Sequence, residues 1–150
     1  MNLLKVVFRT WILIFFNVCN THAQFNYQFE NISTDQGLSN GWARCILQDS
    51  KGFLWVGTNL GLNRFDGYQF KVFQSSSESD AAISNDAIWC LYEDREGNIW
   101  IGTDGGLNVF DPQTEKFTSY ESLADSFGIS KRIRSIGQDR NGNIWLVLLC

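Results

Sequence analysis

Apolar residues in the middle of the chain gather in short segments, each closed by a turn-forming cluster. "AIWCLYED" (Ala87 to Asp94) is one such run, and its polarity pattern predicts a strand. Asp94-Arg95-Glu96-Gly97 then predicts a tight turn, because Asp can accept bonds from the backbone that follows it and Gly tolerates positive φ. "NIWIG" (Asn98 to Gly102) is a return strand, Thr103-Asp104-Gly105-Gly106 a second turn, "LNVFD" a third strand, Asp111-Pro112 a third turn and "KFTSY" a fourth strand. Within the first run Ile88, Cys90 and Tyr92 fall on one face, with Trp89 and Leu91 on the other. A sheet that is apolar on both faces packs on neighbours at both. No apolar spacing of 3.6 survives the glycines, so helices are a poor alternative.

The same pattern recurs. Asp49, Asp94 and Asp139 are 45 residues apart (94 − 49 = 139 − 94 = 45), as are Gly52, Gly97 and Gly142, and Trp55, Trp100 and Trp145. The step also links Gly57 to Gly102, Thr58 to Thr103, Gly61 to Gly106, Leu62 to Leu107, Asn63 to Asn108 and Phe65 to Phe110. Four short strands in a period of this length describe one blade of a β-propeller. The expected fold is all-β: four-stranded antiparallel blades repeating every 45 residues. The segments are a leader (1–23), a lead-in (24–37), repeat 1 (38–82), repeat 2 (83–127) and a partial repeat 3 (128–150). Propellers close with about four to eight blades, and this length gives fewer than three, so the propeller is expected to be incomplete.

The N-terminus changes the picture of where the chain works. Lys5 and Arg9 precede an apolar run from Trp11 to Phe16, followed by Thr21-His22-Ala23, which is the layout of a secretory signal peptide cleaved after Ala23. The run is shorter than the roughly 20 residues that span a bilayer. Without residues 1–23 the chain has 10 Lys+Arg (12 minus Lys5 and Arg9) against 16 Asp+Glu, a net charge of −6. That balance, with no basic run, argues against nucleic acid and anionic membrane surfaces as partners. Cys45, Cys90 and Cys150 remain, an odd number; Cys45 and Cys90 share the 45-residue step, which suits small strand positions better than a disulfide.

Each recurrent residue has a structural reading. Trp55, Trp100 and Trp145 are expected to fill the same slot between blades. Asp49, Asp94 and Asp139 are expected to organise turns rather than to catalyse, with Gly52, Gly97 and Gly142 closing them and Gly57 and Gly102 part of the same scaffold. "DRNGN" (Asp139 to Asn143) has oxygen side chains at the first, third and fifth positions of a calcium loop, but its Gly is misplaced, so no metal is expected. "GTDGG" lacks a following helix and Lys and is not a phosphate cradle. No cofactor is expected.

The phrase D-x-x-G-x-[IL]-W-[IV]-G-T-x-x-G-L-N-x-F-D, spanning Asp49 to Asp66 and Asp94 to Asp111 with a broken copy from Asp139, resembles the two-component regulator propeller repeat. The resemblance covers residues from about Leu38 to Trp145. It implies the periplasmic sensor region of a hybrid two-component histidine kinase of the Bacteroides type, anchored in the inner membrane by parts beyond this chain. It further implies an oligosaccharide as ligand and the rest of the sensor kinase as partner. The third copy departs from the pattern after Trp145, and the one His, His22, lies in the leader. The chain is therefore read as the N-terminal piece of a sensor and not as an enzyme.

Positions alike in every copy build the scaffold, so individual function is sought where the copies differ. Gly41, Asp86 and Lys131 correspond, as do Trp42, Ala87 and Arg132, and Arg44, Trp89 and Arg134. These positions lie before and within the first strand of each blade, the strand nearest a propeller's central channel. Arg44, Asp86, Trp89, Arg132 and Arg134 are the candidate ligand residues: guanidinium forks, a carboxylate and an indole face suit a sugar. Two other readings stay open. A sialidase-like glycan hydrolase would need two converging carboxylates, and its Asp turn places Gly two and Trp five residues after Asp, where this chain has three and six. A purely structural or protein-docking propeller is the other.

Overall fold

A computed structural model of the chain describes residues 28–76, 82–120 and 132–149. The leader, Lys131 and Cys150 lie outside the described residues. The chain divides into two compact units, Met1–Asn31 and Ile32–Cys150. The second contains every strand described below. It opens with a short 3-10 turn (Thr34–Gln36), capped by Ser33, whose hydroxyl accepts from Asp35 N.

Three antiparallel sheets follow. The first is β1 (Ala43–Gln48), β2 (Leu54–Thr58), β3 (Gly61–Phe65) and β4 (Phe70–Phe73), hydrogen-bonded in chain order. The second repeats it with β5 (Ile88–Glu93), β6 (Ile99–Thr103), β7 (Leu107–Asp111) and β8 (Lys116–Ser119). The third is β9 (Ile133–Gln138) paired with β10 (Ile144–Leu148), two strands among the described residues. β5 packs against β1 and β2, and β9 against β5 and β6, so successive sheets stack with their first strands side by side. These are propeller blades in an unclosed array, as the periodicity predicts.

The turns explain the repeated Asp. Asp49 Oδ1 accepts from Lys51 N and Phe53 N, while Oδ2 accepts from the Trp55 indole Nε1 at 2.7 Å. Asp94 does the same with Glu96 N, Asn98 N and Trp100 Nε1, and Asp139 with Asn141 N, Asn143 N and Trp145 Nε1. Each carboxylate thus fixes its turn and holds the tryptophan six residues on. Gly52, Gly97 and Gly142 close these turns at φ 90°, 85° and 91°, where a side chain is strained. Desolvation raises the Asp94 pKa, but donation from Trp100 and Asn98 outweighs it and the net shift is downward. Bonds from Asn143 and Trp145 hold Asp139 at about 2.

The core lies between the first two sheets and combines aliphatic with aromatic side chains. Trp55, Leu62, Ile88, Ile99, Ile101, Phe110 and Phe117 are buried together. The Trp55 ring meets Phe110 of the next sheet edge-on at 5.1 Å, and Phe73 meets Phe117 at 5.3 Å. The three repeated tryptophans are not equally covered. Trp55 is 0% exposed, Trp100 is half-buried and stacks on Tyr120 just after β8, and Trp145 is 66% exposed. The expectation of one common filled slot therefore needs correction: the slot is common, but its cover depends on the sheet that follows.

Close approach of the sheets explains the second glycine. A Cβ on Gly57 would lie 2.5 Å from Cys45 Sγ and 2.6 Å from Ile88 Cγ2 of the next sheet. Gly102 sits in the same way against Cys90 and Ile133. Val147 holds this place in the third sheet, where it is exposed. Cys45 and Cys90 are free, half-buried thiols at these contacts. Desolvation pushes them up to about 12 and about 11, which keeps both protonated.

Polar ties repeat as well. Asn63 Oδ1 accepts from Ser39 N, Ser39 and Thr58 share a hydroxyl bond, and Asn108 holds Ser84 in the same way. Ser50 N donates to Glu93 of the next sheet, and the corresponding Arg95 N donates to Gln138.

Candidate binding site at the inner strands

The first strand of every sheet carries a bulge at the same place. In β1 the pairing passes from Ala43↔Thr58 to Cys45↔Gly57, skipping Arg44. In β5 it passes from Ile88↔Thr103 to Cys90↔Gly102, skipping Trp89, and in β9 Arg134 is skipped between Ile133 and Ser135. A bulge frees one residue from the ladder and re-aims its side chain, and bulges concentrate beside functional sites. Three corresponding residues are thus turned out of three neighbouring sheets.

They meet in a single stack. The Arg44 guanidinium lies 3.4 Å from the centroid of the Trp89 ring, and the Arg134 guanidinium lies 3.2 Å from it. Trp89 Nε1 donates to Asp104 Oδ1 at 2.6 Å, and Arg132 Nε pairs with the same oxygen at 2.6 Å. Arg44, Trp89 and Arg134 are therefore brought together by stacking, and Arg132 joins them through Asp104, the carboxylate that it shares with Trp89. Within the described residues Arg44 Nη1 is buried without a hydrogen-bond partner.

Two expectations for these residues change. Asp86 does not join the cluster by its carboxylate: Oδ1 accepts from Ser75 N, and its carbonyl accepts from Gly61 N, so it laces the second sheet to the end of the first. Trp89 offers no open ring face, because a guanidinium lies over it in each of two contacts from neighbouring sheets. The free indole is Trp42, 74% exposed just before β1. It holds the repeat position of Arg132, so it belongs to the same end of the inner strands. Its variation from Ala87 and Arg132 was the available signal. Asp104 was missed because it lies in a second-turn segment that reads as scaffold.

The descriptive match to known families falls on these elements. The two-component regulator propeller family matches residues 37–60 and 82–105, again 45 apart (82 − 37 = 45). The chain is similar to the extracellular domain of the hybrid two-component system BT3049 from B. thetaiotaomicron, with 29% identity and a TM-score of 0.71 over 81% of this chain and 18% of that one. It is also similar to the extracellular domain of the one-component system BT4673 from the same organism, at 25% identity and a TM-score of 0.65 over 82% of this chain and 18% of the other. Histidine kinase P4 of Formosa agariphila is 43% identical over 53 residues, 35% of this chain and 4% of that protein. The chain thus spans less than a fifth of the length of each of these relatives. The segments that match the two-component regulator propeller repeat are those that hold the first two strands, β1–β2 and β5–β6, of its first two sheets.

Proposed function

We propose that the chain forms part of the sensor propeller of a hybrid two-component signal-transduction histidine kinase, exported to the periplasm, and that it binds an oligosaccharide without turning it over. The observation that carries this reading is the gathering of the three bulged first-strand residues into one stack, with the exposed Trp42 two residues before Arg44 in the chain. Sugars are held by hydrogen-bonding forks together with an apolar face, and both are present at this end of the inner strands. The relatives named above support the sensor context, two of them as extracellular domains and one as a histidine kinase. Occupancy would be read by the rest of the sensor kinase.

Calorimetry on the chain tests the reading, with short oligosaccharides prepared from starch, from polygalacturonate and from a sulfated galactan. At least one is expected to bind and to be recovered uncleaved. Trp42→Ala should weaken that binding about tenfold, as loss of an aromatic anchor does, and leave the melting temperature unchanged. Absence of binding by all three, or cleavage of the bound sugar, would overturn the proposal.

A further inference from the structure

We infer that the stack at the inner strands selects anionic sugars, those carrying carboxylate or sulfate groups. The inference rests on the oligosaccharide reading and adds the class of ligand. The chain as a whole is acidic, with 12 Lys+Arg against 16 Asp+Glu. At the stack the balance is reversed, since two guanidiniums, those of Arg44 and Arg134, lie on one indole and no carboxylate pairs with either among the described residues, while Asp104 stands next to that indole. That carboxylate oxygen is already engaged by Arg132 Nε and by the Trp89 indole. Arg44 and Arg134 make no ion pair among the described residues, and Trp89 is the partner that each stacks on.

Stacking uses the flat face of a guanidinium and leaves its N–H edge for other partners. That edge is a rigid fork matched to two oxygens of a carboxylate or sulfate. Two cations held on one ring also repel each other, and an anion bound beside them offsets the repulsion. The buried Arg44 Nη1 without an acceptor shows the same deficit at atomic scale. A neutral sugar hydroxyl would supply an acceptor but not the missing charge.

The three probes named above decide the matter by calorimetry on the full chain at low and at high salt. The polygalacturonate or the sulfated galactan fragment is expected to bind, and the starch fragment to bind at least tenfold more weakly. Affinity for the acidic probe should fall as salt rises. Preference for one acidic probe identifies carboxylate or sulfate as the recognised group. Arg44→Gln and Arg134→Gln should each reduce affinity by roughly tenfold or more, the loss expected for a hydrogen bond to a charged group, while Arg134→Lys retains part of it. If either variant fails to fold, the salt dependence and probe preference of the unaltered chain still decide. Equal binding of starch and acidic fragments, or folded Gln variants with unchanged affinity for the acidic probe, would overturn the inference. Binding of a single-stranded oligonucleotide as tight as that of the acidic sugars would mark a general polyanion surface and overturn it too. Binding of starch alone would leave the oligosaccharide reading standing and remove this one; no binding by any probe would remove both.

Discussion

Asp49, Asp94 and Asp139 are one device used three times, and their surroundings set what each is worth. Asp49 Oδ2 holds the indole of a fully buried tryptophan, so Asp49→Ala leaves Trp55 Nε1 without its partner in the core. That should lower stability by about 1–3 kcal/mol, the penalty for an unsatisfied buried group. Asp139→Ala should shift the urea midpoint less, because the exposed Trp145 can donate to water. Acid acts on two of these groups. The carboxyls of Asp94 and Asp139 are lowered in the folded chain, so the stability they add is present above the ordinary Asp value of about 3.9 and lost as pH falls through the folded values. For Asp139 that window runs from the unfolded value down to about 2. The indole N–H resonances of Trp100 and Trp145 should move over that acid range, and an unchanged spectrum down to pH about 2 would contradict the assignment.

At the scale of the strand, the seat at Gly57 is the most exacting contact. Gly57→Ala puts a methyl against Cys45 and Ile88 and should cost about 1–3 kcal/mol by overpacking; thermal melts would show it, and an unshifted melt would mean the sheets can part without penalty. The strands themselves were legible because turn chemistry punctuates them: the expected Leu107–Asp111 strand is β7, and the run from Ala87 became β5 one residue shorter at each end. The bulges were not legible, since an extra residue present in every copy leaves the 45-residue period intact. For the same reason the column Arg44–Trp89–Arg134 could be picked out by its variation, but not the stacking that closes over Trp89. Whether a ring face is open depends on side-chain direction, which spacing does not encode. Because Trp89 also holds Asp104, Trp89→Ala is expected to lower the melting temperature, unlike Trp42→Ala.

For the whole array, the third sheet presents Trp145, Val147 and Leu149 to solvent. Exposed apolar patches of this kind promote association, so the purified chain should self-associate as concentration rises. Trp145→Lys combined with Val147→Lys should suppress this in sedimentation velocity, and a monodisperse unaltered chain at all concentrations would refute it. Val147 itself marks a change of rule: the place where Gly57 and Gly102 admit a neighbouring isoleucine is filled by the sheet's own side chain. A blade docked there by the geometry of the first two would meet that side chain, so its partner residue would have to be smaller than isoleucine.

The three Asp-bonded indoles also form a built-in optical gauge. They share one hydrogen-bonding environment and differ in solvent cover, from Trp55 through Trp100 to Trp145. Trp145 should emit furthest to the red and be quenched first by iodide. Whatever settles on the third sheet would shift its emission to the blue while that of Trp55 stays fixed.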